Sequence, residues 1–186
     1  MKLLMHICCG PCTIYPLKEL RISGHEVVGA FYNPNIHPYQ EYQRRRQALL
    51  DYAEKSFLPV IWPEDYALEE FLRQVVFKEK ERCDYCLQDR LKYTALIAQN
   101  ENYDGFTTTL LYSKHQKHEE IREIGENLGK QLGIHFYYQD FRAGWDEGIK
   151  ISKELDMYRQ NYCGCIYSEK ERFCNTKLLS KPRCEG

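Results

Sequence analysis

The chain predicts an α/β fold: a doubly wound, mainly parallel sheet with a helical C-terminal part, in one domain spanning residues 1–186. Three observations carry this. Short apolar runs alternate along the chain with longer stretches of 3.6-residue periodicity, the pattern of strand–helix–strand units. Prolines and glycines that start and stop helices fall at several of the junctions, as at Pro11, Gly24 and Gly133. There is no internal repeat, low-complexity tract or linker, and 186 residues suffice for one real core.

Residues 2–8 (Lys-Leu-Leu-Met-His-Ile-Cys) read as a buried strand. Pro11 then opens a helix over about 12–22, where its fixed φ and missing N–H cost nothing. Gly24 closes that helix. Residues 26–32 are a second strand. Asn33-Pro34-Asn35-Ile36-His37-Pro38 is a loop, because two prolines prevent regular structure. A helix over about 39–55 turns Leu49, Leu50 and Ala53 inward. Residues 58–61 form a short strand, and a helix follows near 68–76. The charged run Lys78–Arg82 leads into Cys83-Asp84-Tyr85-Cys86 and a helix with Leu87, Leu91, Ala95 and Ala98 on one face. Residues 104–111 are a strand opening into Tyr112–Gln116. The next helix carries Ile121, Ile124, Leu128 and Leu132 and ends at Gly133. A strand at 135–138 and helices near 145–158 and 168–179 complete the chain.

In such sheets ligands bind at the carboxyl ends of strands. Cys8, Cys9 and Cys12 would sit there after the first strand, the 33–37 loop after the second, and Ser113–Gln116 after a later one. Three chemistry-bearing loops would share one rim.

Hydrophobic residues are 43% and charged residues 28%, with a formal net charge of −1. This balance argues against a broadly basic nucleic-acid coat, though not against a local patch. The opening Met1–Ile7 run is too short for a signal peptide. No stretch approaches the roughly 20 apolar residues of a membrane span, so a cytoplasmic protein without membrane contact is expected.

In a reducing compartment nine cysteines point to metal or redox chemistry rather than to disulfide staples. Seven fall in three clusters: Cys8-Cys9-Gly10-Pro11-Cys12, the C-x-x-C of Cys83 and Cys86, and the C-x-C of Cys163 and Cys165. The first turn is where nucleotide-binding α/β folds place a glycine-rich phosphate loop. Three thiols there would repel phosphate. Cys83 and Cys86 with two thiols of the first cluster make a four-sulfur set that suits structural zinc or a [4Fe–4S] cluster, and spacing does not choose between them. A helix start at Cys86 would favour its thiolate by up to about 1 kcal/mol. Two thiols one residue apart can close a labile disulfide that stores two electrons, or can serve as further metal ligands. Cys12 either binds a second metal or packs at the start of its helix.

Cys174 and Cys184 are isolated and receive no role. His6, inside a strand, reads as a core histidine. His115 and His118 lie in a polar segment and read as surface residues, whereas His37, between prolines on the rim, reads either as a surface residue or as a candidate substrate contact.

Arg44-Arg45-Arg46, Lys114, Lys117, Arg159, Lys170, Arg172, Lys177, Lys181 and Arg183 are interleaved with Tyr39, Tyr42, Tyr158, Tyr162 and Tyr167. Cations beside aromatics suit a single-stranded RNA loop, but a solvated charged face explains them equally well.

Five segments carry a resemblance. They are His6–Cys12, Phe31–Pro38, Arg82–Cys86, Thr108–Leu111 and Tyr158–Cys165. Together they resemble the cobalamin-independent epoxyqueuosine reductases, from the first strand to about Ser168. The resemblance implies a fold similar to adenine-nucleotide α-hydrolase and PP-loop (HUP-like) proteins. It implies reduction of epoxyqueuosine to queuosine at the tRNA wobble position, the last step of that modification. It also implies a [4Fe–4S] cluster on Cys8, Cys9, Cys83 and Cys86, and a redox-active pair at Cys163 and Cys165. Adjacent cysteines on one cluster are geometrically tight, so one additional iron held with Cys12 stays open. The partners implied are a tRNA anticodon loop carrying epoxyqueuosine and an external, ferredoxin-like electron donor. Asn33, His37, Tyr158 and Arg159 would contact the substrate. The rival readings are a PP-loop-like tRNA thiolase, which would need an ATP-cradling loop where the first cysteines stand, and a zinc-binding RNA module.

Overall fold

A computed structural model describes residues 1–174. Strands β1 (Lys2–His6), β2 (Glu26–Ala30), β3 (Val60–Ile61), β4 (Gly105–Thr108) and β5 (His135–Phe136) form one sheet in the order β3-β2-β1-β4-β5. Every pairing is parallel. The order reverses direction between β1 and β4, so the crevice at their carboxyl ends is the switch point of a doubly wound sheet. Helices α1 (Gly10–Ile22), α2 (Tyr39–Lys55), α3 (Leu68–Val75), α4 (Arg82–Asn100), α5 (His118–Leu132), α6 (Trp145–Glu154) and α7 (Ile166–Phe173) flank it. This is the expected α/β architecture.

The central strand shows why the sheet is covered on both faces. Leu3, Leu4 and Met5 are fully buried in succession, which an alternating one-sided strand could not do. α1 starts on schedule, with Cys9 as its extended N-cap residue and Pro11 in the first turn. Its Gly10 lies so close to α2 that a Cβ would meet Ala48 O at 2.8 Å and Met157 Cε at 2.7 Å. α5 ends on Gly133 in the left-handed region (φ 66°), as its sequence signal indicates.

Several elements stop short of the expected bounds. The fourth strand stops at Thr108, because the Thr108 hydroxyl accepts from the Leu110 amide at 3.1 Å and caps a 3₁₀ turn at Thr109–Tyr112. The helix near 145–158 ends at Glu154, and Asp156 then takes a φ of 50°. The last described helix is Ile166–Phe173. The expected extension to 179, Cys184, and the cations Lys177, Lys181 and Arg183 lie outside the described residues. No described helix is long and apolar enough to cross a membrane.

Candidate functional site

The turn leaving β1 gathers Cys8, Cys9 and Cys12, whose sulfurs all lie within 4.8 Å of one another. Among the described residues this is the one such group of potential metal ligands. Cys9 and Cys12 are buried, and Cys8 is half-buried. Hydrogen bonds from Cys12 and Cys9, aided by the charge of Arg90 and the Thr109 hydroxyl, hold the Cys8 thiol well below its usual range although burial opposes them. A bond from Cys12 favours the Cys9 thiolate, but its bond to Cys8 and its burial win and push it up to about 12. Cys12 is pushed up by the same two neighbours and by burial. Within the triad the thiolate is thus favoured at Cys8, while Cys9 and Cys12 are biased toward the thiol. Thr109, at the end of β4, accepts from the Cys8 amide at 3.1 Å and reaches its sulfur at 3.4 Å. Gln160 donates to the Cys9 sulfur at 3.0 Å.

The other four clustered cysteines converge on a second place. Cys83, Cys86, Cys163 and Cys165 line one cleft of about 290 Å³ together with Asn35 and Arg90. Cys83 and Cys86 stand one turn apart at the start of α4. That helix begins at Arg82, not at Cys86, and burial dominates over its N-terminus. Cys86 is pushed up to about 12 by desolvation despite Arg90, and desolvation raises Cys83 as well. The expected thiolate stabilisation at Cys86 is thus outweighed by the loss of water around the sulfur. All eight described cysteines are free thiols.

Arg90 joins the two groups. It is 3% exposed and has no carboxylate partner among the described residues. Nη1 reaches the Cys86 sulfur at 3.7 Å, Nη2 donates to Asn33 Oδ1 at 2.9 Å, and Nε donates to His6 Nε2 at 3.3 Å. His6 is a core histidine, as its place in a strand suggests. Burial, with the charge of Arg90, depresses its pKa to about 3, so the ring is neutral, with Nδ1 in hydrogen-bond contact with the Thr108 hydroxyl at 2.9 Å and Nε2 3.2 Å from the Tyr32 carbonyl. A buried cation without a carboxylate is costly unless anionic sulfur compensates it. A sequence signal for Arg90 existed: a charged residue set into the apolar face of Leu87, Leu91 and Ala95.

The C-x-C segment is pinned from beneath by Arg45. This side chain is 2% exposed and pairs with buried Glu41 at 2.7 Å. Its other two nitrogens donate to the carbonyls of Cys163 at 2.8 Å and Tyr162 at 3.1 Å. Tyr162 OH donates to the His37 carbonyl, and the His37 amide donates to Gly164 O at 2.8 Å. The three-arginine run is accordingly no phosphate patch. Arg45 is internal, Arg46 lies over Trp62 and Arg44 over Tyr158. Arg45 shares an inward helix face with Tyr42 and Leu49, and that spacing could have revealed it.

The expected substrate contacts divide. Asn33 is buried, donates to Ile7 O at 2.8 Å and accepts from Arg90, so both ends of its amide are committed to the fold. His37 is buried between Pro34 O at 3.1 Å and the Ile166 amide at 3.4 Å. Tyr158 donates to Glu41 at 2.6 Å. Arg159 is exposed and lines a small cleft with Cys12, Tyr112 and Trp145. Gln116, in the rim loop after β4, reaches the Cys163 sulfur at 3.9 Å. His115 is exposed as expected, but His118 is buried against Tyr138. A groove of about 340 Å³ between α2 and residues 155–158 contains no thiol and mixes Arg44 and Lys55 with Asp51 and Asp156.

Thiols at this density, with a cation beside them, are a donor set that soft metals favour. Comparison with known proteins points to one family. A family model described as "Epoxyqueuosine reductase QueH" matches residues 3–171. A protein of that name from Dehalococcoides mccartyi is 40% identical over 92% of this chain and 94% of its own length. Another, from Thermotoga maritima, is 36% identical over 97% of this chain and 96% of its own. One from Streptococcus pyogenes is 34% identical over 91% of this chain and 71% of its own.

Proposed function

Because the chain belongs to the epoxyqueuosine reductase QueH family, we propose that it reduces epoxyqueuosine to queuosine at the wobble position of a tRNA anticodon loop. The observation that carries the reading is a group of three thiols at the switch point of the sheet and a second group of four in one cleft, with a buried arginine acting on both. A phosphate-binding loop would occupy that place in an ATP-dependent thiolase, and buried sulfur stands there instead.

Removing an epoxide oxygen to leave an alkene takes two electrons and two protons and releases water. Cys163 and Cys165 can supply both: two thiols becoming one disulfide give up two electrons and two protons. Gly164 lets the segment bend between them. The pair lines the same cleft as Cys83 and Cys86, and an external one-electron donor protein would return it to the dithiol.

The donor set fits a [4Fe–4S] cluster held by Cys8, Cys9, Cys83 and Cys86, with an additional iron held alongside Cys12. Such a centre would supply one-electron transfer and a Lewis-acidic metal. Arg90 acts electrostatically on both sulfur groups, Cys8 and Cys86, and would offset their negative charge. A second allocation follows from the cleft: Cys83, Cys86, Cys163 and Cys165 as the cluster's four ligands, with the Cys8–Cys9–Cys12 triad holding the single iron.

The test is anaerobic reconstitution with iron and sulfide, metal quantitation, and nucleoside mass spectrometry of tRNA bearing the epoxide. The expected result is a brown protein that converts the nucleoside, with Cys83→Ser losing iron and turnover together. Iron retained in Cys163→Ser supports the dithiol role, and iron lost there supports the second allocation. Full turnover by iron-free protein would falsify the cluster in either form. A colourless zinc protein without turnover would favour the RNA-binding module.

A further inference from the structure

Among the described residues, two side chains lining the thiol cleft hold a buried polar atom without a partner: Arg82 at Nε alone, its other nitrogens being bonded, and Asn35 at both ends of its amide. It lines that cleft, it is 1% exposed, and neither Nδ2 nor Oδ1 has a hydrogen-bond partner. Its neighbours bond elsewhere. Arg45 donates to Glu41, Cys163 O and Tyr162 O. Arg90 spends Nη2 on Asn33 and Nε on His6. Asn33, two residues away, has the opposite fate, with both ends of its amide bonded inside the protein.

A buried amide with an idle donor and an idle acceptor costs stability, and native proteins keep such groups rarely. The space beside it is also reserved. A Cβ on Gly164 would lie 3.2 Å from Asn35 Nδ2, so glycine in the C-x-C segment keeps that space beside the amide open. The amide thus borders Gly164, between the two thiols, in the lining of the cleft.

Resting on the reductase reading above, we propose that Asn35 is a substrate-contact residue. Its Nδ2–H donates to the epoxide oxygen, and its Oδ1 accepts from a polar hydrogen of the same ligand. An epoxide oxygen is an acceptor without a hydrogen of its own, so it matches a lone N–H. The alkene product has lost that oxygen. Asn35 therefore distinguishes substrate from product and favours product release, while neither electrons nor protons pass through it.

Asn35→Leu removes donor and acceptor at nearly constant size. Asn35→Asp keeps an acceptor and loses the donor. The quantities to measure, on reconstituted enzyme, are Kd for epoxide-bearing tRNA and for product tRNA, turnover, the visible iron–sulfur spectrum, and Tm. One hydrogen bond in a dry cleft corresponds to roughly a tenfold preference of wild type for the epoxide-bearing tRNA. That preference falls to about onefold in both variants, with kcat/KM down about 10- to 100-fold, the spectrum unchanged and Tm in Asn35→Leu undiminished. A preference that survives in Asn35→Leu overturns the assignment. So does a lowered Tm with the preference kept, which makes Asn35 structural, or a shifted spectrum with the preference kept, which makes it a neighbour of the metal centre. Wild type that binds both tRNAs alike also overturns it. Wild type that fails to convert the tRNA at all defeats the parent reading instead.

Discussion

Removing Arg45 tests whether the C-x-C segment is held by one buried ion pair. Arg45 and Glu41 are 2% and 3% exposed, and the arginine makes three hydrogen bonds, to Glu41, Cys163 O and Tyr162 O. Arg45→Met keeps the aliphatic stem but leaves the Glu41 carboxylate buried, with Tyr158 OH as its remaining donor. Breaking a buried pair from one side costs about 3–5 kcal/mol, and among the described residues the only cation then left near the carboxylate is exposed Arg44 at 4.0 Å. For a domain of this size that is a fall in Tm of roughly 6–20 °C. Arg45→Met/Glu41→Leu removes both charges, and apolar replacement of a buried pair is often neutral, so most of the loss should return, to within about 1–2 kcal/mol of wild type. Activity should not return with it, since the carbonyls of Tyr162 and Cys163 stay untethered in both variants. Urea unfolding, amide exchange at residues 162–166, and turnover read these three consequences. A single variant within about 1 kcal/mol of wild type, or a double variant with full turnover, would refute the reasoning.

Other perturbations have equally definite outcomes. Cys12→Ser removes one of three sulfurs lying within 4.8 Å and should lower bound iron by about one ion per chain while leaving acid-labile sulfide intact, as metal and sulfide assays will show. Gly164→Ala forces a side chain onto a backbone with φ of 138° and within 3.1 Å of Ile36, so it should destabilise by about 1–3 kcal/mol in thermal unfolding and slow turnover. Asp140 is held down to about 2 by the Arg142 guanidinium, so its contribution is present above its ordinary pKa and is lost as pH falls through 2. The carboxylate is well exposed, so the effect stays below about 1 kcal/mol, and Asp140→Asn should remove only that much of the acid-side slope in a pH series of unfolding curves.

The alternation of strands and helices was legible because each element advertises itself locally. α2 is found at Tyr39–Lys55, where apolar spacing and the two preceding prolines place it. The same local reading overextended the fourth strand, because Thr108 can use its hydroxyl to cap a 3₁₀ turn where a strand would continue. Charge was harder to read. Arg45 and Arg90 are set into apolar helix faces, and beyond Glu41 and Cys86 one turn away their partners are remote in sequence: the carbonyls of Tyr162 and Cys163 for Arg45, Asn33 and His6 for Arg90. The 33–38 loop was recognised as part of the rim, but which of its polar side chains faces the cleft was not. Asn33 and His37 bond the fold, while Asn35, between them, has unsatisfied groups in the cleft.

By itself the sequence determined the α/β class, the start of α1 at Gly10–Pro11 and the three cysteine clusters with their spacings. Those depend on periodicity, on proline and glycine backbone chemistry, and on residues adjacent in the chain. Only the tertiary structure decided how the sulfurs are grouped. Parallel pairing of β1 with β4 brings Thr109 to Cys8, and the ion pair of Arg45 with Glu41 carries Cys163 and Cys165 to the mouth of α4. The result is a buried triad and a four-thiol cleft, with one arginine acting on both. The reason is physical: the pairing of β1 with β4 and the hydrogen bonds from Arg45 to the carbonyls of Tyr162 and Cys163 act between segments about a hundred residues apart, which spacing along the chain does not encode.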